Sequence, residues 1–229
     1  MSEFPLHEAC MNGAYQQAVE LLEENSSLVK VSDKDGRYPI HWAISFQHEE
    51  IVDELLSHMK KIDLDSLVDD SNWSPIHIAA AVGNYSIFEK LLKHDIAPLL
   101  DECTAQGTTP LHLACSKKHL KIVEKLIERG ASVRKKDKKG QLPLHRACAI
   151  GASGLVKILC ESKSPIDTKD NNGWPPLFHA LSEGHGDIAV MLVRDYNAAW
   201  EDVKSNAEET ALQVAVDKNV REYFVNNVN

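Results

Sequence analysis

One five-residue phrase, Pro-Leu/Ile-His-x-Ala, constrains this chain more than anything else in it. It stands at Pro5–Ala9, Pro39–Ala43, Pro75–Ala79, Pro110–Ala114 and Pro143–Ala147. Two degenerate copies follow, Pro176-Leu-Phe-His-Ala180 and Ala211-Leu-Gln-Val-Ala215, and successive copies begin 34, 36, 35, 33, 33 and 35 residues apart. Proline fixes φ and suits the first turn of a helix, where its missing N–H has no partner to lose. The Leu/Ile and Ala positions lie three apart and so share one helical face. A second amphipathic stretch follows each phrase, as at Ile51–Leu56 and Ile122–Ile127. A unit of two short helices cannot bury its apolar face alone, so neighbouring units must stack on one another.

The segments between the helices carry their own signals. The first helix of each unit is expected to stop at Gly13, Gly83, Gly151 and Gly184, with Gln47, Lys118 and Asn219 in the same role elsewhere. Asp33–Gly36, Thr104–Gly107, Asp137–Gly140 and Asp170–Gly173 predict tight hairpin turns, with Asn72 and Asn206 taking the glycine's slot in the two remaining links. Ser74 and Thr109 suit the N-cap before their prolines, whereas Tyr38, Leu142 and Pro175 do not. After the third unit, Ile96–Glu102 reads as a longer, irregular loop. Motif and period together resemble the ankyrin-repeat family. The resemblance implies an all-α solenoid of seven helix-turn-helix repeats with β-hairpin fingers. It would form a single domain over residues 1–229, with repeats at about 1–32, 33–68, 69–103, 104–136, 137–169, 170–203 and 204–229.

Composition excludes several classes. The chain is 43% apolar and 26% charged, and no apolar run approaches the span of about 18 residues that a bilayer needs. No basic N-terminal end leads into an apolar core, so secretion is not expected. Cys10, Cys115 and Cys148 each follow the motif Ala and read as small core fillers; with no CxxC pair, a reducing compartment is expected, cytoplasm and nucleus. The net charge of −9 is segregated: residues 1–103 carry −12, residues 104–142 carry +7 and residues 143–229 carry −4. The acidic part favours a basic partner surface and the basic part an acidic one.

The eleven histidines invite a metal or a catalytic reading. Five belong to the motif, one per repeat, and stacked layers stand about 10 Å apart; metal ligands must converge to about 2 Å. They are read as structural hydrogen-bonding groups. Asp69 and Asp70 are adjacent on an exposed link and read as interaction charges rather than an acid/base pair. The basic run Arg134–Lys139 lacks interleaved aromatics, so nucleic acid is not expected. There is no phosphate-cradling glycine loop, no cofactor is expected, and no membrane. The chain is read as a non-enzyme and, on its own, a monomer.

What remains is a binding surface. Residues just after the motif His, and about four further on, are expected to line the concave wall of a solenoid: Glu8, then Trp42 and Phe46, Ile78 and Val82, Lys117 and Lys118, Arg146, and Glu183. Solvent-facing aromatic rings among charges are the usual chemistry of binding hot spots. Asp33–Trp42, Asp69–Ala79, Ser116-Lys117 and the run Trp174–Asp187 resemble gankyrin, and especially its fungal counterparts among the proteasome assembly chaperones. The resemblance implies a chaperone that clasps the C-terminal helical domain of one ATPase subunit of the proteasome regulatory particle. Asp35, Asp70, Arg37, Trp42, Trp73 and Lys117 would be contacts, with Asp33 and Asp69 beside them. An ankyrin scaffold or inhibitor of another partner, such as a cell-cycle kinase, is the alternative.

Overall fold

The computed structural model describes residues 3–228. Two compact units emerge, one running to Leu113 and the other starting at Ala114. Among the described residues fourteen α-helices follow in pairs: α1 (Pro5–Asn12) and α2 (Tyr15–Glu24), α3 (Pro39–Ser45) and α4 (Glu49–His58), α5 (Pro75–Val82) and α6 (Tyr85–Leu92), α7 (Pro110–Ser116) and α8 (Leu120–Glu128), α9 (Pro143–Ala149) and α10 (Ser153–Glu161), α11 (Pro176–Ser182) and α12 (Gly186–Tyr196), α13 (Ala211–Val214) and α14 (Lys218–Val228). Short 3₁₀ turns stand at Ser26–Lys30 and Leu64–Ser66. In the first unit α1 packs on α3 and α3 on α5, with α2 on α4 and α4 on α6. The second unit repeats this, α9 on α11 on α13 and α8 on α10 on α12 on α14.

The motif alanines explain the close stacking. Ala9, Ala43, Ala79, Ala114, Ala147 and Ala180 are each at most 1% exposed. A larger side chain there would overpack a core already near crystal density. The buried Leu6, Ile40, Ile76, Leu111, Leu144 and Leu177 supply the apolar side of the same helices.

Within each unit, motif histidines join successive repeats. Nδ1 of His41, His77, His112 and His145 accepts the backbone N–H three residues earlier, at Tyr38, Ser74, Thr109 and Leu142. For His41, His77 and His145 that fixes the proton on Nε2, which donates to a main-chain carbonyl at the foot of the following finger, at Leu67, Glu102 and Trp174, 3.0–3.2 Å away. His7 Nε2 meets the Arg37 carbonyl in the same way at 3.0 Å. The histidine therefore caps the cap. Tyr38 and Leu142 serve as N-caps without a capping side chain because the ring at N3 satisfies their N–H groups.

Each finger closes through backbone bonds without forming a strand. Asp33, Asp69, Thr104, Asp137, Asp170 and Ser205 each donate N–H to the carbonyl four residues on and accept, through their own carbonyl, from the N–H three residues on. Among the described residues the β pairing is an isolated bridge, Lys204–Thr210. Successive fingertips are tied by one backbone bond: Asp70 N–H to Asp35 and Ala105 to Ser71 in the first unit, Asn171 to Lys139 and Asn206 to Asn172 in the second.

Gly36 shows why the turn needs glycine. Its φ is +74°, and a Cβ built there would lie 2.6 Å from Asp70 Oδ1 and 3.0 Å from Asp70 N. Gly36→Ala is expected to cost about 2 kcal/mol. Urea unfolding should show it, with amide exchange quickened at Asp35 and Asp70.

Two expected turn positions differ. In the last finger the left-handed residue is Glu208, φ 62°, and not Asn206. Counting from Ser205, which occupies the finger aspartate's place, the fourth residue must turn. Asn219 lies inside α14 rather than ending a first helix, because α13 is only four residues long and stops at Ala215 with φ −57°. Gln47 and Lys118, by contrast, do adopt φ of 61° and 62° at the ends of their helices.

Candidate protein-binding surfaces

The fingers and the first helices carry the candidate residues, and one side chain organises each finger. Asp33 Oδ1 accepts the N–H groups of Asp35 and Arg37, while Oδ2 accepts the indole N–H of Trp42 at 2.8 Å. Asp137 repeats the scheme with Lys139, Gln141 and the guanidinium of Arg146. Asp170 repeats it with Asn172, Trp174 and His179 Nε2. Thr104 and Ser205 substitute a hydroxyl oxygen for the carboxylate at the turn. For Asp33, Asp137 and Asp170 the partner across the finger is nine residues on, at the variable position of the motif.

In the third repeat that position is the apolar Ile78, and the pattern adapts. Asp69 Oδ1 still accepts from Ser71 and Trp73, but Oδ2 faces Arg37 Nε of the preceding finger at 3.6 Å. Asp69 is 8% exposed and Ile78 7%. The expected exposure of Asp69 therefore does not hold: its carboxylate is spent inside the protein on two N–H groups and a guanidinium. Ile78 is likewise packed rather than displayed, and Val82 is half-buried. Asp33 is also tied inward; burial opposes its ionisation, yet the Trp42 indole and the turn N–H groups outweigh it and hold the carboxyl below its usual range. Of the candidate acids, Glu8, Asp35 and Asp70 in the first unit and Glu183 in the second are exposed.

Repeat two presents a row of flat groups. The Arg37 guanidinium lies 4.8 Å over the Trp42 ring, Trp42 stacks on Phe46 at 6.2 Å and 24°, and Phe46 stacks on His48 at 6.3 Å and 10°. Trp42 is half-buried, held by Asp33 on one edge, and Phe46 is 49% exposed. Cation–π contact and stacking fix both rings before any partner arrives. His48 was not singled out from sequence. Its Nε2 is held by the Met11 carbonyl at 3.2 Å, and only Gly13, with no Cβ, leaves room for the ring. Trp73 is half-buried and tilts against His77 at 6.4 Å.

In the second unit Lys117 and Lys118 are exposed, while Arg146 is committed to Asp137. Much of the basic finger is structural: Arg134 donates to the Lys163 carbonyl and Lys136 to the Lys169 carbonyl. Counted over the full sequence, the stretch to Leu113 has nineteen acids and seven Lys/Arg, net −12, and the stretch from Ala114 has fifteen and eighteen, net +3.

The five cysteines are free thiols, and burial pushes Cys10 and Cys160 up to about 12, keeping them protonated at neutral pH. Among the described residues no three His, Cys, Asp or Glu side chains are grouped to hold a metal ion. No helix among them is long and apolar enough to cross a membrane.

The family described as ankyrin repeats (three copies) matches this chain in overlapping windows, residues 6–99, 62–137, 96–166, 111–205 and 144–228. The crystal structure of the ankyrin repeat domain of Bcl-3 is similar in fold, with a TM-score of 0.77 over 96% of this chain and 97% of that one at 22% identity. Fold and sequence thus define an ankyrin-repeat protein. At the sequence level the chain is 47% identical over 229 residues to the "Probable 26S proteasome regulatory subunit p28" of Saccharomyces cerevisiae, covering 100% of both, and it belongs with that protein to the gankyrin family. Human SMC5-SMC6 complex localization factor protein 1 is 32% identical over 114 residues, 50% of this chain but 11% of that protein.

Proposed function

We propose that this protein is a non-catalytic assembly chaperone of the proteasome regulatory particle, binding the C-terminal helical domain of one of its ATPase subunits. The observation that carries the reading is the identity of 47% with p28 across the whole of both chains. The surface chemistry supports it. Asp35 and Asp70 project from adjacent fingers joined by the Asp70 N–H to Asp35 carbonyl bond, so two carboxylates are offered close together to a basic helix. Beside them, Trp42 and Phe46 offer a preordered apolar anchor. In the second unit, Lys117 and Lys118 offer cations to an acidic partner surface. The same reading places the protein in cytoplasm and nucleus, as a monomer before it meets its partner.

The test is capture of the isolated C-terminal domain of each regulatory-particle ATPase. Asp35→Arg with Asp70→Arg is expected to weaken binding to the cognate domain about a hundredfold or more, since like charges would then face each other. Phe46→Ala should weaken it about tenfold or more while barely changing thermal stability, because that ring is already half exposed. Unchanged affinity in both variants, with circular dichroism intact, would reject this surface; failure of the parent chain to hold any of the ATPase domains would reject the function.

A further inference from the structure

Away from the fingers, a cleft of about 480 Å³ opens where the ends of α2 and α4 meet the segments that follow them. Lys30, Lys60 and Lys61 stand around it, with Ser26 and His58, and no carboxylate lines it. That is unexpected in a unit with nineteen acids and seven Lys/Arg. The other four cations are each committed to an acid: Lys34 to Glu3, Arg37 to Asp69, Lys90 to Glu49 and Asp53, Lys93 to Glu89. The three with no carboxylate partner among the described residues are the three at this cleft, and all three are exposed. We infer that the cleft is a second binding site, for a short acidic segment of a protein partner.

The geometry selects a run of carboxylates over a phosphate group. Compact dianions are matched by arginine forks and by helix N-termini. Here α2 and α4 arrive with their carbonyl ends, and no arginine lines the cleft. The one helical N-terminus nearby, at Ser26, is already capped by Asn25, whose Oδ1 accepts from the Ser27 N–H and hydroxyl. Three ammonium groups on long, separate stems suit carboxylates spaced along a peptide, each stem reaching its own. The volume also exceeds by far what one small ion fills, a water taking about 30 Å³. Three lysines without carboxylate partners make the cleft locally positive, which would steer an acidic peptide toward it.

The probe is a fluorescein-labelled hexapeptide of alternating Asp and Glu, titrated with the full chain and read by anisotropy, an Asn/Gln hexapeptide serving as control. The acidic peptide should bind, lose affinity as salt rises, and perturb the amides of Ser26–Lys30 and Ser57–Ile62. Lys30→Glu/Lys60→Glu/Lys61→Glu should lose about tenfold or more. Lys135→Glu/Lys138→Glu/Lys139→Glu, an equal change in net charge, should lose less. Equal losses from the two triple variants, amide shifts confined to the fingers, or displacement by inorganic phosphate more readily than by unlabelled acidic peptide would overturn the assignment. The proposed function is separately readable, since the cleft variant should still hold the ATPase domain as tightly as the parent.

Discussion

Asp170→Ala is expected to lose about 4 kcal/mol of stability, more than any other single change to a finger. The side chain of Asp170 is 1% exposed. Its Oδ1 accepts the N–H groups of Asn172 and Trp174 at 2.9 and 3.0 Å, and its Oδ2 accepts His179 Nε2 at 3.0 Å and Gln141 Nε2 at 3.4 Å. Truncation removes the acceptor from all four donors at once, and all four bonds are partly buried. An unsatisfied buried donor costs about 1–3 kcal/mol, so even partial hydration leaves a large loss. Asp170→Asn separates the causes. The amide oxygen can still take the two turn N–H groups, but the amide nitrogen cannot accept from His179, and a loss of about 1–2 kcal/mol is expected. Urea unfolding gives the magnitudes, and amide exchange at Asn172 and Trp174 shows whether the finger opens first. An alanine variant within experimental error of the parent would mean that the turn is held by its backbone bonds alone.

That carboxylate illustrates what the sequence conceals. The repeat, the helix pairs and the structural role of the motif histidines follow from local signals: a fixed φ at proline, a face at spacing three, one ring per layer. The finger aspartate's second partner does not, because it sits nine residues on, at the one motif position free to vary, and meets the aspartate only after finger and helix have folded against each other. Trp42, Arg146 and His179 share nothing as residue types except a hydrogen-bond donor. That shared donor was the available signal. Where the ninth residue is Ile78, Asp69 turns to Arg37 of the preceding repeat instead, a choice no single-repeat pattern contains. For the same reason the acidic character of the surface was legible while its division was not: Asp33 and Asp69 brace fingers, and Asp35 and Asp70 face water. In the degenerate last repeat no proline or histidine marks the register, so residue type points to Asn206 and Asn219 where the count from Ser205 and the short α13 place the chain otherwise.

Mild acid is expected to weaken both units through two motif histidines. Burial above all holds His41 down at about 4, against the weaker pull of the Leu67 carbonyl bond; burial, then the neighbouring His179, holds His145 at about 4. An unfolded histidine titrates near 6.5. Between these values the unfolded chain binds a proton that the folded chain refuses, so stability rises with pH. The contribution is complete above about pH 6.5, falls as pH drops from there to about 4, and levels off below. At pH 5 each ring accounts for about 2 kcal/mol. Asp170 does not confound this window. Burial opposes its ionisation, but the Trp174 N–H and His179 outweigh that and hold its carboxyl below the usual carboxylate range, so its own contribution is lost only at lower pH. Since His41 and His145 lie in different units, each can be followed separately by amide exchange in repeats two and five between pH 7 and 5. Long-range ¹H–¹⁵N spectra at pH 5.5 should show both rings neutral with the proton on Nε2, as the bonds to Leu67 and Trp174 require. Rings that titrate near 6.5 in the folded protein would remove the cause, and a stability unchanged between pH 7 and 5 would remove the effect.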